Sequence, residues 1–283
     1  MTQDQEQTSG SESERAPAFT FKTVAKQGFQ LPIGALEGDA LDKAFAFRPY
    51  TMAEDKAIAR DIAHDPQATE SAKVTAALKH TLITLGSRDL SEAKPEQVEA
   101  AVKGMFFGDV MYAYLLLRIV SVGKEVKFPY SCPFCRTPFI FTGDLNTVRV
   151  TCFDDPSRLE DVVMLPMPWR VRGIDARRVL LRPSPWGMIE GRMPTPVHYQ
   201  AAIMQGAIAG IDDKSEGPFA GERIRLAPTE VDTMPKRVVN LLNDAVAIAN
   251  GGPRLNVTTA CPSPQCKADL DEPLNWSFDN FFG

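Results

Sequence analysis

Long apolar runs are missing from this chain of 283 residues. No stretch of about 18 apolar residues occurs, so no helix is offered for crossing a bilayer. The first residues carry no apolar signal-peptide core, and the expectation is a protein that folds in a cytoplasm. Basic blocks interleaved with aromatics are missing too, and the net charge is −5. Nucleic acid is therefore not an expected partner. Arg170, Arg172, Arg177 and Arg178 form the one local basic stretch of note, and they read as a solvated strand face. There is no Gly-x-x-x-x-Gly-Lys phosphate loop, no Gly-x-Ser-x-Gly elbow and no His-Glu-x-x-His. The acidic pairs Asp154-Asp155 and Asp212-Asp213 read as turn chemistry. The chain is expected not to be an enzyme.

Histidine is scarce, with His64, His80 and His198 all far in sequence from any cysteine pair. Cysteine is sparse but patterned. Cys152 stands alone and reads as a small core residue. The other four form Cys132-Pro133-Phe134-Cys135 and Cys261-Pro262-Ser263-Pro264-Gln265-Cys266. In a reducing compartment such pairs read as metal ligands rather than disulfides. Each pair is half of a tetrahedral zinc site, and neither has a second knuckle about 15–20 residues away. Three arrangements follow: both pairs on a single Zn2+, each pair with its own ion, or two pairs without metal. A thioredoxin-like use of the C-x2-C needs the pair at a helix N-terminus, whereas Phe139-Ile140-Phe141 after it reads as extended.

The chain also repeats itself. Leu31-Pro32 precedes Arg48-Pro49 by the same spacing as Leu165-Pro166 precedes Arg182-Pro183. Met105, Val110, Ile119, Gly123, Cys132 and Pro133 are matched by Met234, Val239, Ile248, Gly252, Cys261 and Pro262 at an offset of 129. The expected class is α+β, internally duplicated, each half a β-hairpin plus helices ending in a cysteine knuckle. The expected divisions are a polar disordered tail over 1–16, a first repeat over 17–150 and a second over 151–283.

Within the first repeat a strand-like opening from Phe19 leads to Phe29–Gly34. A second extended run, Lys43–Pro49, completes a hairpin turned near Glu37-Gly38-Asp39. Thr51 with Glu54 forms a capping box for a helix over 52–63. Val74, Leu78, Leu82 and Leu85 predict a helix over 71–85 closed by Gly86. Residues 95–119 predict helix with a break near Gly104 and Gly108. In the second repeat the expectations are a hairpin of 170–172 with 179–181, then a helical segment over 186–193. A helix over 197–208, a turn at 210–213 and a helix or helix pair over 228–249 follow. The four aromatics of the last ten residues are expected to fold back onto the core.

The Leu-Pro strand, the Arg-Pro strand end, Tyr114–Ile119 with Gly123 and Cys132–Cys135, and Ala249–Pro253 with Cys261-Pro262 carry a family resemblance. The chain resembles the baseplate hub proteins of T-even-type contractile phage tails and related contractile injection systems. In pattern it is also similar to tail assembly chaperones. The C-x4-C departs from that pattern's C-x2-C. The resemblance implies a non-enzymatic structural or assembly role, with other baseplate, hub or tail proteins as partners. It places the protein in the cytoplasm during assembly or in the baseplate of the finished particle. Cys132, Cys135, Cys261 and Cys266 are the expected zinc ligands. The rival readings are a zinc-binding nucleic-acid or regulatory module and a redox enzyme.

Overall fold

The computed structural model describes residues 29–37, 40–63, 68–190 and 196–282. The tail over 1–16, the run from Phe19 to residue 28, the centre of the Glu37–Asp39 turn, His64 and residues 191–195 lie outside them. Strands β1 (Phe29–Glu37) and β2 (Ala40–Phe47) form an antiparallel hairpin. Phe29, Phe45 and Phe47 cluster on its covered face, with ring centroids 5.0–5.7 Å apart. Thr51 caps α1 (Met52–Ile62): its amide donates to Glu54 Oε2 at 2.8 Å and its hydroxyl accepts from the Ala53 amide. Helix α2 (Glu70–Thr81) is shorter than the apolar spacing predicts. Leu82–Leu85 leaves the helix as β3 and pairs with β2. An open strand edge satisfies this segment's backbone groups as well as a further helical turn would, and Ile83 and Thr84 are β-branched. Gly86, at φ 58°, turns the chain into β4 (Arg88–Asp89) rather than capping a helix. Helices α3 (Pro95–Gly104) and α4 (Phe107–Ser121) meet at the predicted break. The knuckle hairpin β5 (Glu125–Ser131) and β6 (Pro138–Asp144) and the short β7 (Val150–Thr151) follow.

The second half opens with β8 (Asp161–Val171) and β9 (Ile174–Leu181), turned by Arg172 at φ 50° and Gly173 at φ 78°. A single 3-10 turn at Trp186–Met188 precedes α5 (Pro196–Ala207). Residues expected to form a turn instead form β10 (Ile208–Asp212), which pairs with β9. Gly210 permits this, because a Cβ there would lie 2.8 Å from the Glu222 carbonyl oxygen. The last helical stretch is a pair, α6 (Pro228–Val231) and α7 (Lys236–Ala249). Then come β11 (Gly252–Pro253), the second knuckle hairpin β12 (Asn256–Ala260) and β13 (Asp269–Pro273), and α8 (Phe278–Phe282). The class is α+β, with small antiparallel sheets.

The two principal sheets share a register. In the first, Gln30 pairs with Ala44 and, after a bulge, Ala35 with Asp42. In the second, Met164 pairs with Arg178 and, after a bulge, Trp169 with Ala176, each residue displaced by 134. The third strands agree as well. Phe45, Ala46 and Phe47 face Leu85, Thr84 and Leu82, while Val179, Leu180 and Leu181 face Ile211, Gly210 and Ile208. The residue after each Arg-Pro donates its amide to the end of a matching helix. Tyr50 donates to Ser121 Oγ at 2.8 Å, and Ser184 to Asn250 Oδ1 at 2.7 Å.

One core gathers the first sheet, α1 to α4 and both knuckle hairpins; the other fills the space between β8–β10 and α5–α7. The C-terminal aromatics fold back as expected, with Phe281 stacked on Tyr114 at 5.0 Å. Two further expectations fail. Cys152 is exposed rather than a core residue. Arg178 is buried rather than solvated, its guanidinium 2.6 Å from Asp212 and bonded to the carbonyls of Gly217 and Pro218. Asp212 pairs with it and also accepts the amides of Lys214 and Ala220, so the chain around 213–220 folds over a paired charge.

Candidate metal centre

Each knuckle is a tight turn closing a two-stranded ribbon. In the first, the Cys132 amide donates to the Thr137 carbonyl at 3.1 Å and the Arg136 amide to the Cys132 carbonyl at 2.8 Å. In the second, the Cys261 amide donates to the Ala268 carbonyl at 2.9 Å, and the Cys266 and Lys267 amides both reach the Ser263 carbonyl. The residue after each closing cysteine is left-handed, Arg136 at φ 60° and Lys267 at φ 47°. The longer C-x4-C thus ends in the same backbone state as the C-x2-C. Its extra residues are taken up in the turn.

The ribbons dock against each other. Gly143 on β6 faces Val257 on β12, where a Cβ would lie 2.8 Å from the Val257 Cβ. A glycine inside a strand is the sequence signal for such an approach. The Tyr130 hydroxyl hydrogen-bonds the Glu272 carboxylate across the junction. Phe128 and Phe141 stack at 4.8 Å beneath the first turn. Arg118, at the end of α4, donates to the carbonyls of Gly123 and Glu125 and so sets where β5 begins. Nothing in the sequence pattern marks that role.

Docking brings all four cysteines together. Their sulfurs lie within 4.8 Å of one another, Cys132 Sγ 3.8 Å from Cys266 Sγ and Cys135 Sγ 3.6 Å from Cys261 Sγ. The contacts cross over, the first cysteine of each knuckle meeting the second of the other. A tetrahedron with metal–sulfur bonds of about 2.3 Å has edges of about 3.8 Å, so the spacing fits one ion held by four thiolates. Disulfides would need sulfurs about 2.05 Å apart. Among the described residues this is the one group of His, Cys, Asp and Glu side chains so placed. His80 lies on α2 with its Nε2 2.8 Å from Asp61, and the His198 side chain is outside the described set.

Cys132 and Cys261 are buried, Cys266 is half-buried and Cys135 is exposed. Hydrogen bonds from the Thr137 hydroxyl and amide hold the Cys135 thiol down at about 6. Burial pushes the Cys261 thiol up to about 12. Around a bare cluster, a proton keeps the buried Cys261 sulfur neutral; a divalent cation can replace it. The C-x2-C lies between β5 and β6 and not at a helix N-terminus, the setting that lowers the attacking thiol in thioredoxin-like sites. The four cysteines could hold a metal ion. Comparison of the chain with family models, curated proteins and solved structures finds no match.

Proposed function

We propose that the four cysteines hold one zinc ion as a clasp between two duplicated halves. We further propose that the chain is a non-enzymatic structural or assembly protein of a phage tail or contractile injection baseplate. The observation that carries the metal reading is the meeting of four sulfurs from hairpins more than a hundred residues apart. An all-thiolate tetrahedron suits zinc, which brings no redox chemistry and leaves no open position for substrate. Shared strand register and shared amide contacts support the duplication. The ordered Leu-Pro, Arg-Pro and Cys-Pro motifs support the baseplate role, as does a site suited to holding a shape. Two of the arginines between Arg170 and Arg182 that a nucleic-acid reading would need are engaged: Arg178 with Asp212 and Arg172 with Glu230.

The test is zinc per chain on protein purified without chelator, for the native sequence and for Cys132→Ser and Cys261→Ser. One zinc, lost in both variants, is the expected result. Two zincs would separate the knuckles, and none would overturn the clasp. Co-expression with candidate sheath, tube and hub proteins tests the baseplate role. Failure to enter any subassembly with them would overturn it.

A further inference from the structure

The two sheets carry the same bulge, but among the described residues only the first is covered. In β1 the bulged residues are Leu31–Gly34, and the segment joining the two halves lies over them. The Phe153 amide donates to the Pro32 carbonyl at 2.8 Å, Phe153 is buried, and Asp154 reaches Lys43 at 2.7 Å. From the helix side, Asp109 accepts the amides of Ile33 and Gly34 at 2.8 and 2.9 Å. In β8 the matching residues are Leu165–Pro168, and Arg177 stands where Lys43 stands in the first sheet. Val238 takes the place of Asp109, and Pro168, in the place of Gly34, has no amide hydrogen to give.

No strand among the described residues pairs with the outer edge of β8. Val162, Met164 and Met167 are 38%, 48% and 41% exposed along it, whereas Ile33, the counterpart of Met167, is fully buried. Arg177 is exposed. Pro166 and Pro168 remove two donors from this edge and leave their carbonyls, which discourages indiscriminate strand pairing but still accepts a donor.

We propose that the β8 edge between Met164 and Trp169 docks an extended segment of a partner protein in which an aromatic residue is followed by a carboxylate. The partner's aromatic amide donates to the Pro166 carbonyl, its ring covers Met164 and Met167, and its carboxylate pairs with Arg177. The first bulge supplies the pattern, Phe153-Asp154 on Pro32 and Lys43. Strand addition of this kind draws affinity from main-chain bonds and specificity from side-chain positions. The proposal is independent of the metal reading, since no cysteine of the cluster lies on this sheet.

The probe is a dye-labelled peptide of the covering segment 149–156 with serine in place of Cys152, RVTSFDDP, titrated into the full chain and read by fluorescence anisotropy. Saturable binding is expected, with hydrogen-exchange protection over 161–171 and none gained over 29–37. Arg177→Glu weakens it about fivefold or more. Methylating the phenylalanine nitrogen of the peptide also abolishes the gain, which a purely electrostatic contact would not do. Exchanging the aspartate after phenylalanine for lysine restores binding to Arg177→Glu. The peptide changes leave the protein's folding untouched, so they decide the matter even where the protein variant is unstable. Absence of saturation up to about 1 mM, or binding indifferent to both the methyl group and the charge exchange, would overturn the proposal. So would self-association that buries β8 and shuts out the peptide, since a second copy would then be the occupant.

Discussion

The sulfurs of Cys135 and Cys261 lie 3.6 Å apart across 126 residues of chain. Such a contact ties the two knuckle hairpins into one body only if something holds the thiolates together. Structural zinc in small modules is worth roughly 10–16 kcal/mol of apparent folding free energy. A fraction of that suffices here, because both hairpins already share a core with α4 and α8. Removing metal with a chelator should lower the melting temperature by at least about 10 °C. Cys261→Ser should start from the lowered value and show no further response. Calorimetry with and without chelator checks this, and equal melting of the two forms would exclude a structural ion.

The buried Arg178–Asp212 pair gives a second expectation. Asp212→Ala leaves a guanidinium in the core with only carbonyl partners, and breaking one side of such a pair typically costs about 3–5 kcal/mol. The double variant Arg178→Met with Asp212→Leu should recover much of the loss, because the interior then holds no unpaired charge. Urea denaturation measures both. Limited proteolysis near Gly217 should become faster in the single variant, since that carbonyl is held by Arg178.

Much of this was legible from local pattern, and the failures share one cause. The Thr51–Glu54 cap and the knuckle turns each rest on contacts within a few residues. Leu82 and Leu85 keep helical spacing with Leu78, yet the edge of β2 claims them as a strand. Residues 208–212 meet the same fate at the edge of β9. Arg178 reads as solvated because its partner lies thirty-four residues away, and Cys152 reads as core although the linker carrying it runs over the surface. The meeting of the cysteines was one of three arrangements that spacing allowed. What spacing could not supply was Gly143 and Val257, which let the ribbons touch.

Two carboxyls should shape the pH dependence in opposite directions. Burial pushes Asp109 from 3.8 up to about 7, against the amide bonds from Ile33 and Gly34. A carboxyl raised by folding contributes its full stability below its ordinary value, and that contribution fades as pH rises through 7. Glu230 is lowered to about 2, first by its hydrogen bonds with Arg172. Its contribution is present above its ordinary value and fades as pH falls toward 2. The stability difference between the native chain and Asp109→Asn should therefore narrow between about pH 4 and 8. Glu230→Gln should soften only the acid limb. Urea midpoints across pH decide this, and a difference for Asp109→Asn that stays flat would contradict the assignment.

Gly143→Ala tests whether the docking of the ribbons sets the metal site. The new methyl group would meet Val257 Cβ at 2.8 Å and both Val257 methyls at 3.0 Å, in a place where neither strand can easily withdraw. Overpacking of this kind costs about 1–3 kcal/mol. If the ribbons part to relieve it, the two sulfur pairs part with them, and four thiolates no longer converge on one ion. The variant should stay folded but give up metal to a competing chelator faster than the native chain. Val257→Gly in the same background removes the opposing Cβ together with its methyls and should restore retention. Rescue by a change that touches no cysteine would show that the approach of β6 to β12 governs the site. Loss of metal that Val257→Gly fails to rescue would point instead to damage within the first ribbon.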